Sequence, residues 1–385
     1  MVKTKILLVL LLAVSIISMA SVTLDWGRVY SLPGAQEIFK VSAVEDGVYA
    51  FGYTNEKGIN EDMLILKFDL QGNLVYENSL GGIYNDWVNS GGVASDGDLV
   101  IIGTSGSYGS DFDIYFNKIG KNKFSKNLTK LGQDKGSDYI EVNDGFIVIG
   151  YGSDPDTLNM RGIIAKLDKS GNVVYQKWLP YFVPGSDTKP LSIEQTTDGN
   201  FIIAGTVVQI FDNLTKFYLT KVDKNGEEIW TKVFSPREYA RGFDVKEVPG
   251  GYVAVGYEGS WKTKWSDIYV VKVDYNGNIV WERSYGDVEG DHGYSLAVAP
   301  NGNIFVTGYV TNPNKDYQDK DIIILEYDVN GNLLSERIIG GYGDDVAFSI
   351  DIDKNGNLYL GGFSESPDLG ADDMRDAFVL KYSIK

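Results

Sequence analysis

Cysteine is absent from the 385-residue chain, and histidine occurs once, as His292. The first absence excludes disulfide staples, lipidated cysteines and cysteine nucleophiles, and the two together exclude zinc sites built from several His or Cys ligands. Stability must come from packing. No stretch beyond the first twenty residues has an apolar run long enough to span a bilayer, and none shows a sustained helical period. Positive charge is short as well: 35 Lys and Arg face 53 Asp and Glu, a formal net charge of -18. A surface of that sign repels phosphate backbones, so nucleic acid is excluded as a partner.

What is present is apolar, with 43% hydrophobic and 13% aromatic residues, enough for a large core. The first twenty residues read as a secretory signal. Lys3 and Lys5 precede an apolar run from Ile6 to Ile17, and Ser18 and Ala20 put small side chains where a signal peptidase reads them. Cleavage after Ala20 is the expectation, an uncleaved anchor the alternative. The mature chain, 21–385, is then a single domain without a membrane span, secreted or cell-envelope associated, and expected to be monomeric.

Three elements recur along it. The first is a large aromatic followed four residues later by another apolar side chain: Trp26/Tyr30, Tyr76/Leu80, Phe124/Leu128, Tyr175/Leu179, Trp230/Phe234, Trp281/Tyr285 and, weakened, Ser335/Ile339. Residues four apart in a strand face one side, so each pair is expected to anchor a core. The second is an alternating run ending at Gly52, Gly103, Gly150, Gly205, Gly256, Gly308 or Gly362, at spacings of 51, 47, 55, 51, 52 and 54 residues. The third carries Lys67, Lys118, Lys166, Lys221, Lys272, Glu326 or Lys381 near the end of a β-branched run. A fourth, less regular run lies between the first two, as in YSLAVAP from Tyr294.

Four short strands with tight turns make one antiparallel sheet. The chain opens with an aromatic strand and closes with a Lys strand, so the order is offset by one. Pairing the Trp26 strand beside the Lys381 strand completes the last sheet and protects its edge. The reading is all-β: a seven-bladed β-propeller of four-stranded antiparallel blades, closed by the N-terminal strand.

The Lys-x-Asp-x-x-Gly-Asn-x-x-Trp pattern, clearest from Lys272 to Trp281 and Lys221 to Trp230, resembles the repeats of secreted bacterial and archaeal β-propeller proteins. It is similar, more distantly, to the tryptophan-docking repeats of quinoprotein-like propellers. The resemblance implies a fold, an extracytoplasmic compartment and a binding or scaffolding role. Its motifs are structural. Sialidase-like propellers carry Ser-x-Asp-x-Gly-x-x-Trp, whereas Asp223 here lies three residues before Gly226, which argues against that class.

In a propeller, the loops joining the outer strand to the next inner strand, and the second strand to the third, share one face. Here these loops are long, so function is expected there. Six residues past the second anchor stand Asp86, Asp134, Asp291 and Asp345. Such carboxylates can gather at the channel mouth around a cation or cationic ligand; alternatively each accepts backbone hydrogen bonds and fixes its blade junction. His292 is expected to be a solvent-exposed loop residue. Trp261 and Trp265 lie where the repeat needs no core aromatic, and either stack on a sugar or protein partner or cap the neighbouring loop. Tyr84, Trp87, Tyr317 and Tyr342 extend this rim. Asp351 to Gly356 imitates the start of a calcium loop, but Gly362 stands where a bidentate Glu is required, so a hairpin turn is expected. Asn127 and Asn213 open Asn-x-Thr glycosylation sequons.

No metal, cofactor or catalytic residue is expected. The function predicted is a non-catalytic binding or scaffolding protein presenting its long-loop face to a protein or glycan. The alternative is an extracellular carbohydrate-active enzyme using paired carboxylates on the same face.

Overall fold

Alternating β-branched and aromatic residues punctuated by glycine favour short pleated strands, and the computed structural model arranges them as seven antiparallel sheets. Described are residues 3–6, 22–55, 60–108, 112–128, 134–157, 159–180, 185–209, 214–234, 236–263, 265–287, 289–311, 319–371 and 374–384. Blade 1 runs outward as Gln36–Val44, Gly47–Thr54, Asp62–Asp69 and Leu74–Leu80. Blades 2 to 7 begin on the inner strands Asp86–Val93, Lys135–Val142, Ser186–Gln195, Tyr239–Val248, His292–Val298 and Asp345–Ile352. Each inner strand packs beside the next, and the seventh beside the first, so the ring is closed.

Closure follows the expected offset. Val22–Ser31 pairs with Asp376–Ile384 as the outer strand of blade 7, with Trp26 opposite Lys381. Of the segment read as a signal, only Lys3–Ile6 is described; it pairs outside Val22–Ser31 as a fifth strand. Residues 7–21 lie outside the described residues.

The repeat residues join neighbouring strands and blades. Each third-strand lysine stands opposite its blade's aromatic anchor, as Lys67 does Tyr76 and Lys221 does Trp230. In blades 1 to 4 its ammonium reaches back to an acid in the inner hairpin turn, as Lys67 does to Asp46 at 2.6 Å, Lys166 to Asp144 at 2.7 Å and Lys221 to Asp198 at 2.5 Å. The aromatic serves more than its own sheet. The Trp26, Trp230 and Trp281 indoles donate to the Leu70, Tyr275 and Val329 carbonyls of the following blade. There the ring covers a turn glycine, Gly72, Gly277 or Gly331, whose φ near +79° favours glycine and leaves no room for a Cβ. The anchor is therefore a tie between blades.

The glycine that closes the second strand has a different cause. Every inner strand carries a β-bulge at the same register, inserting Phe39, Asn89, Ser137, Leu191, Phe243, Tyr294 or Phe348 as an extra residue. The bulge pushes the preceding carbonyl across the pleat towards the paired glycine. A Cβ on Gly52, Gly103, Gly256, Gly308 or Gly362 would stand 1.8 Å from the carbonyl oxygen of Glu37, Trp87, Arg241, His292 or Val346. Only a residue without a Cβ fits opposite the bulge.

Gly256→Ala is expected to lower unfolding stability by about 1–3 kcal/mol, because backbone cannot yield as a side chain does. Gly290→Ala, whose Cβ would meet only the Ser266 hydroxyl at 3.5 Å, is expected to stay within roughly 0.5 kcal/mol in the same urea titration.

Candidate functional site

The bulges face their extra residues towards the channel mouth on the long-loop side. On blades 5, 6, 7 and 1 these are aromatic, and they touch in series. Phe243 meets Tyr294 at 5.0 Å between ring centroids, Tyr294 meets Phe348 at 5.2 Å, and Phe348 meets Phe39 at 5.6 Å. All four are half-buried. On blades 2 to 4 the same place holds Asn89, Ser137 and Leu191, so the mouth has an aromatic arc and a more polar one.

His292 sits within the aromatic half, and the expectation of an exposed loop residue is corrected. It opens an inner strand, is half-buried, and its ring stacks on Tyr257 at 3.6 Å and 9°. Tyr309 lies 4.9 Å away, Nε2 is 3.0 Å from the Ser266 hydroxyl, and Nδ1 is 3.4 Å from Tyr294 Oη. Burial, reinforced by the positive charges of Arg241 and Lys320, pulls its pKa down to about 3. The imidazole is therefore neutral at physiological pH and behaves as one more ring.

The four repeated acids do not converge. They are buried, each at the start of its own inner strand. Asp86 Oδ1 accepts from the Ser105 hydroxyl at 2.5 Å and Ser107 N at 3.2 Å. Asp291 accepts from Thr311 N at 2.8 Å and Asp287 N at 3.2 Å, and Asp345 from Gly341 N at 2.8 Å and the Ser366 hydroxyl at 2.7 Å. Asp134 packs over Gly152 of its own blade. The backbone N–H groups of Asp86, Asp134 and Asp291 donate to Glu61, Phe112 and Ser266 of the preceding blade. The carboxylates of Asp86, Asp291 and Asp345 thus pin their own loops, and the amides of Asp86, Asp134 and Asp291 tie the blade junctions. Burial pushes the carboxyls of Asp291 and Asp345 up to about 6. Among the described residues, no group of three His, Cys, Asp or Glu is arranged to hold an ion.

Trp261 is 57% and Trp265 39% exposed. Trp261 leans on Tyr239 at 4.6 Å, its amide donating to Glu238 at 2.7 Å, and Tyr239 Oη donates to the Trp265 carbonyl at 3.3 Å. The loop is thus a local cap over Tyr239, as the second alternative has it, and both indoles keep an exposed face. Of the rim, Tyr84 and Tyr342 are exposed, whereas Trp87 stacks on Phe112 and donates to Glu61. Tyr317, Asn213 and Thr129 lie outside the described residues. Asn127 bonds the Tyr108 carbonyl from within a strand. Asp353 accepts from Asn355 N and Asn357 N, both at 2.9 Å, closing the hairpin turn expected there.

Sequence reasoning missed the channel wall below the mouth. One residue past each bulge stand Lys40, Ser90, Asp138, Ser192, Asp244, Ser295 and Ser349. Ser90 donates to Asp138 at 2.7 Å, and Ser192 and Ser295 donate to Asp244 at 2.8 and 2.9 Å. Ile193 N, Leu296 N and Ala43 N donate to Asp138, Asp244 and Asp351, acids of other blades. Burial disfavours charge on Lys246, yet Glu194 at 3.0 Å and Asp244 keep its pKa raised. A cavity of about 270 Å³ lies beside these groups. The signal was present in the sequence once each inner strand is aligned on its glycine.

No family model matches the chain. A 112-residue match at 32% identity links 26% of the chain to the regulatory protein FlaEY of Caulobacter vibrioides, spanning 12% of that protein. Among solved structures, the chain superposes on puromycin hydrolase with a TM-score of 0.54 and 12% identity, over 86% of this chain and half of that one. BBS1N, solved in complex with ARL6DN, gives 0.55 and 10% identity over 96% and 98% of the two chains. Sqt1 from Chaetomium thermophilum gives 0.50 and 14% over 86% and 80%. At these identities the likeness is one of fold. Among the described residues, no helix is long and apolar enough to cross a membrane.

The buried titrations carry opposite signs. His292, neutral in the fold down to about pH 3, protonates in the unfolded chain near 6.5, so its share of stability is lost as pH falls from 6.5 towards 3. Asp291, with a folded pKa of about 6 against 3.8, binds its proton first in the fold, so stability is gained as pH falls from above 6 to about 4. Thermal unfolding from pH 8 to 4 is expected to show that His292→Phe removes part of the acid loss. Asp291→Asn should gain most over wild type at pH 8 and least near 4; parallel profiles would contradict both assignments.

Proposed function

We propose that this chain is an extracytoplasmic, non-catalytic binding or scaffolding module that takes a protein or glycan on its long-loop face. The observation that carries the reading is Trp261, a large apolar ring held in solvent by Tyr239 behind it and Glu238 beneath its amide. Ordering such a ring in advance removes part of the entropy that binding would otherwise cost. The buried acids support the absence of catalysis. A glycosidase needs two carboxylates in reach of one bond, whereas Asp291 and Asp345 are 1% and 0% exposed and bonded to their own loops. The propeller shape decides nothing here, since function resides in sites grafted on a fold.

Trp261→Ala/Trp265→Ala is expected to weaken retention on immobilised polysaccharides and envelope fractions by about tenfold or more, as loss of an exposed aromatic anchor does. Unchanged binding would remove those tryptophans from the site. Turnover of any polysaccharide by the wild-type chain would overturn the non-catalytic reading.

A further inference from the structure

Seven residues share one place at the mouth: those whose carbonyl confronts the repeat glycine. In blade order they are Glu37, Trp87, Lys135, Lys189, Arg241, His292 and Val346. Three consecutive blades, 3 to 5, thus supply a cation each. In a chain of net charge -18, these cations are set side by side by the ring itself. None of the three side chains has a hydrogen bond or ion pair among the described residues. Each instead lies over an aromatic ring: Lys135 over Trp87 at 5.9 Å, Lys189 over Tyr151 at 5.6 Å and Arg241 over Tyr257 at 6.0 Å. The third-strand lysines of blades 1 to 4, by contrast, each reach an aspartate in their own blade.

The three feel one another. Burial lowers the Lys189 pKa, and the charges of Arg241 and Lys135 push the same way against Asp187. Asp187 opposes them while its Oδ1 also accepts Met160 N at 2.9 Å. Three cations gathered around the single carboxylate of Asp187 favour a further anion that relieves their repulsion. Distant acids weigh little on such a ligand, because salt screens beyond about 8 Å at physiological strength.

We propose that the mouth binds an acidic oligosaccharide, its carboxylates held by Lys135, Lys189 and Arg241 and one of its sugar rings stacked on Trp261. This deepens, and rests on, the reading of the long-loop face as a binding face. Arg241 lies over Tyr257, whose ring meets Tyr239 at 6.3 Å, and Tyr239 backs Trp261 at 4.6 Å, so a run of rings links this cation to the exposed tryptophan. A sugar presents a C–H face to the indole and a carboxylate at its edge, which matches that adjacency. An acidic peptide adding as a strand is disfavoured, since N–H groups along the inner-strand edges are already taken by Asp138, Asp244 and Asp351. A duplex would extend its phosphates beyond the mouth onto an acidic surface.

The test is calorimetric titration of the full chain with oligogalacturonate, its methyl-esterified neutral counterpart, poly-glutamate and phosphatidylglycerol vesicles. Lys135→Met, Lys189→Met and Arg241→Met are each expected to weaken oligogalacturonate binding roughly tenfold, and the triple variant to abolish it. Lys354→Met, on the tight-turn face, should leave binding unchanged. Unfolding midpoints equal to wild type certify the folds. The inference is overturned if the triple variant binds as wild type, if poly-glutamate or vesicles bind as tightly, or if the wild type ignores oligogalacturonate. Trp261-dependent binding of the esterified oligomer alone would sink this inference while leaving the binding module intact.

Discussion

The contact on which the rest depends is the approach of an inner-strand carbonyl to the glycine opposite it, where a Cβ would stand 1.8 Å away in five blades. That contact is the signature of a bulge, and the bulge does three things. It re-aims one side chain per blade into the channel mouth, it sets the residue two places earlier at the rim, and it shifts the next residue onto the channel wall. Seven repetitions turn one local irregularity into three rings. The glycine is therefore a structural requirement whose consequence is the geometry of the mouth.

The blades are held together by polar ties as well as by apolar faces. Indole N–H groups reach the next blade's turn, inner-strand serines reach neighbouring aspartates, and the start of an inner strand hangs on the loop before it. With no cysteine in the chain, the covalent ties between elements that disulfides provide are excluded, and these bonds supplement the apolar packing. They also consume the acids that at first suggest chemistry. A carboxylate that is buried and bonded to its own loop is a post, and raising its pKa by burial does not bring a substrate within reach.

Much of the fold was legible because periodicity and turn chemistry both repeat: blade number, strand order and the Trp26 closure all follow from spacing and offset. The bulge was not legible, since an extra unpaired residue leaves the alternation of the short inner strand looking merely irregular. The sites divide along the same line. Trp261 stood out as a departure from the repeat. Asp86, Asp134, Asp291 and Asp345 were found by counting, but counting cannot distinguish converging side chains from side chains that each turn into their own loop. His292 read as exposed because its partners Tyr257 and Tyr309 come from two different second strands. Lys135, Lys189 and Arg241 were invisible until alignment on the glycine placed them at one position.

The regular part of the repeat thus builds a rigid frame, and its variable positions at the mouth distinguish one half of the ring from the other. The most direct measurement is hydrogen exchange across the chain with and without saturating oligogalacturonate. Slowed exchange confined to the long-loop face, around Lys135, Lys189, Arg241 and the 259–266 loop, is expected. Protection centred instead on the tight turns near Asp46, Asp96 and Asp144, or on the outer strands, would contradict the placement of function at the mouth.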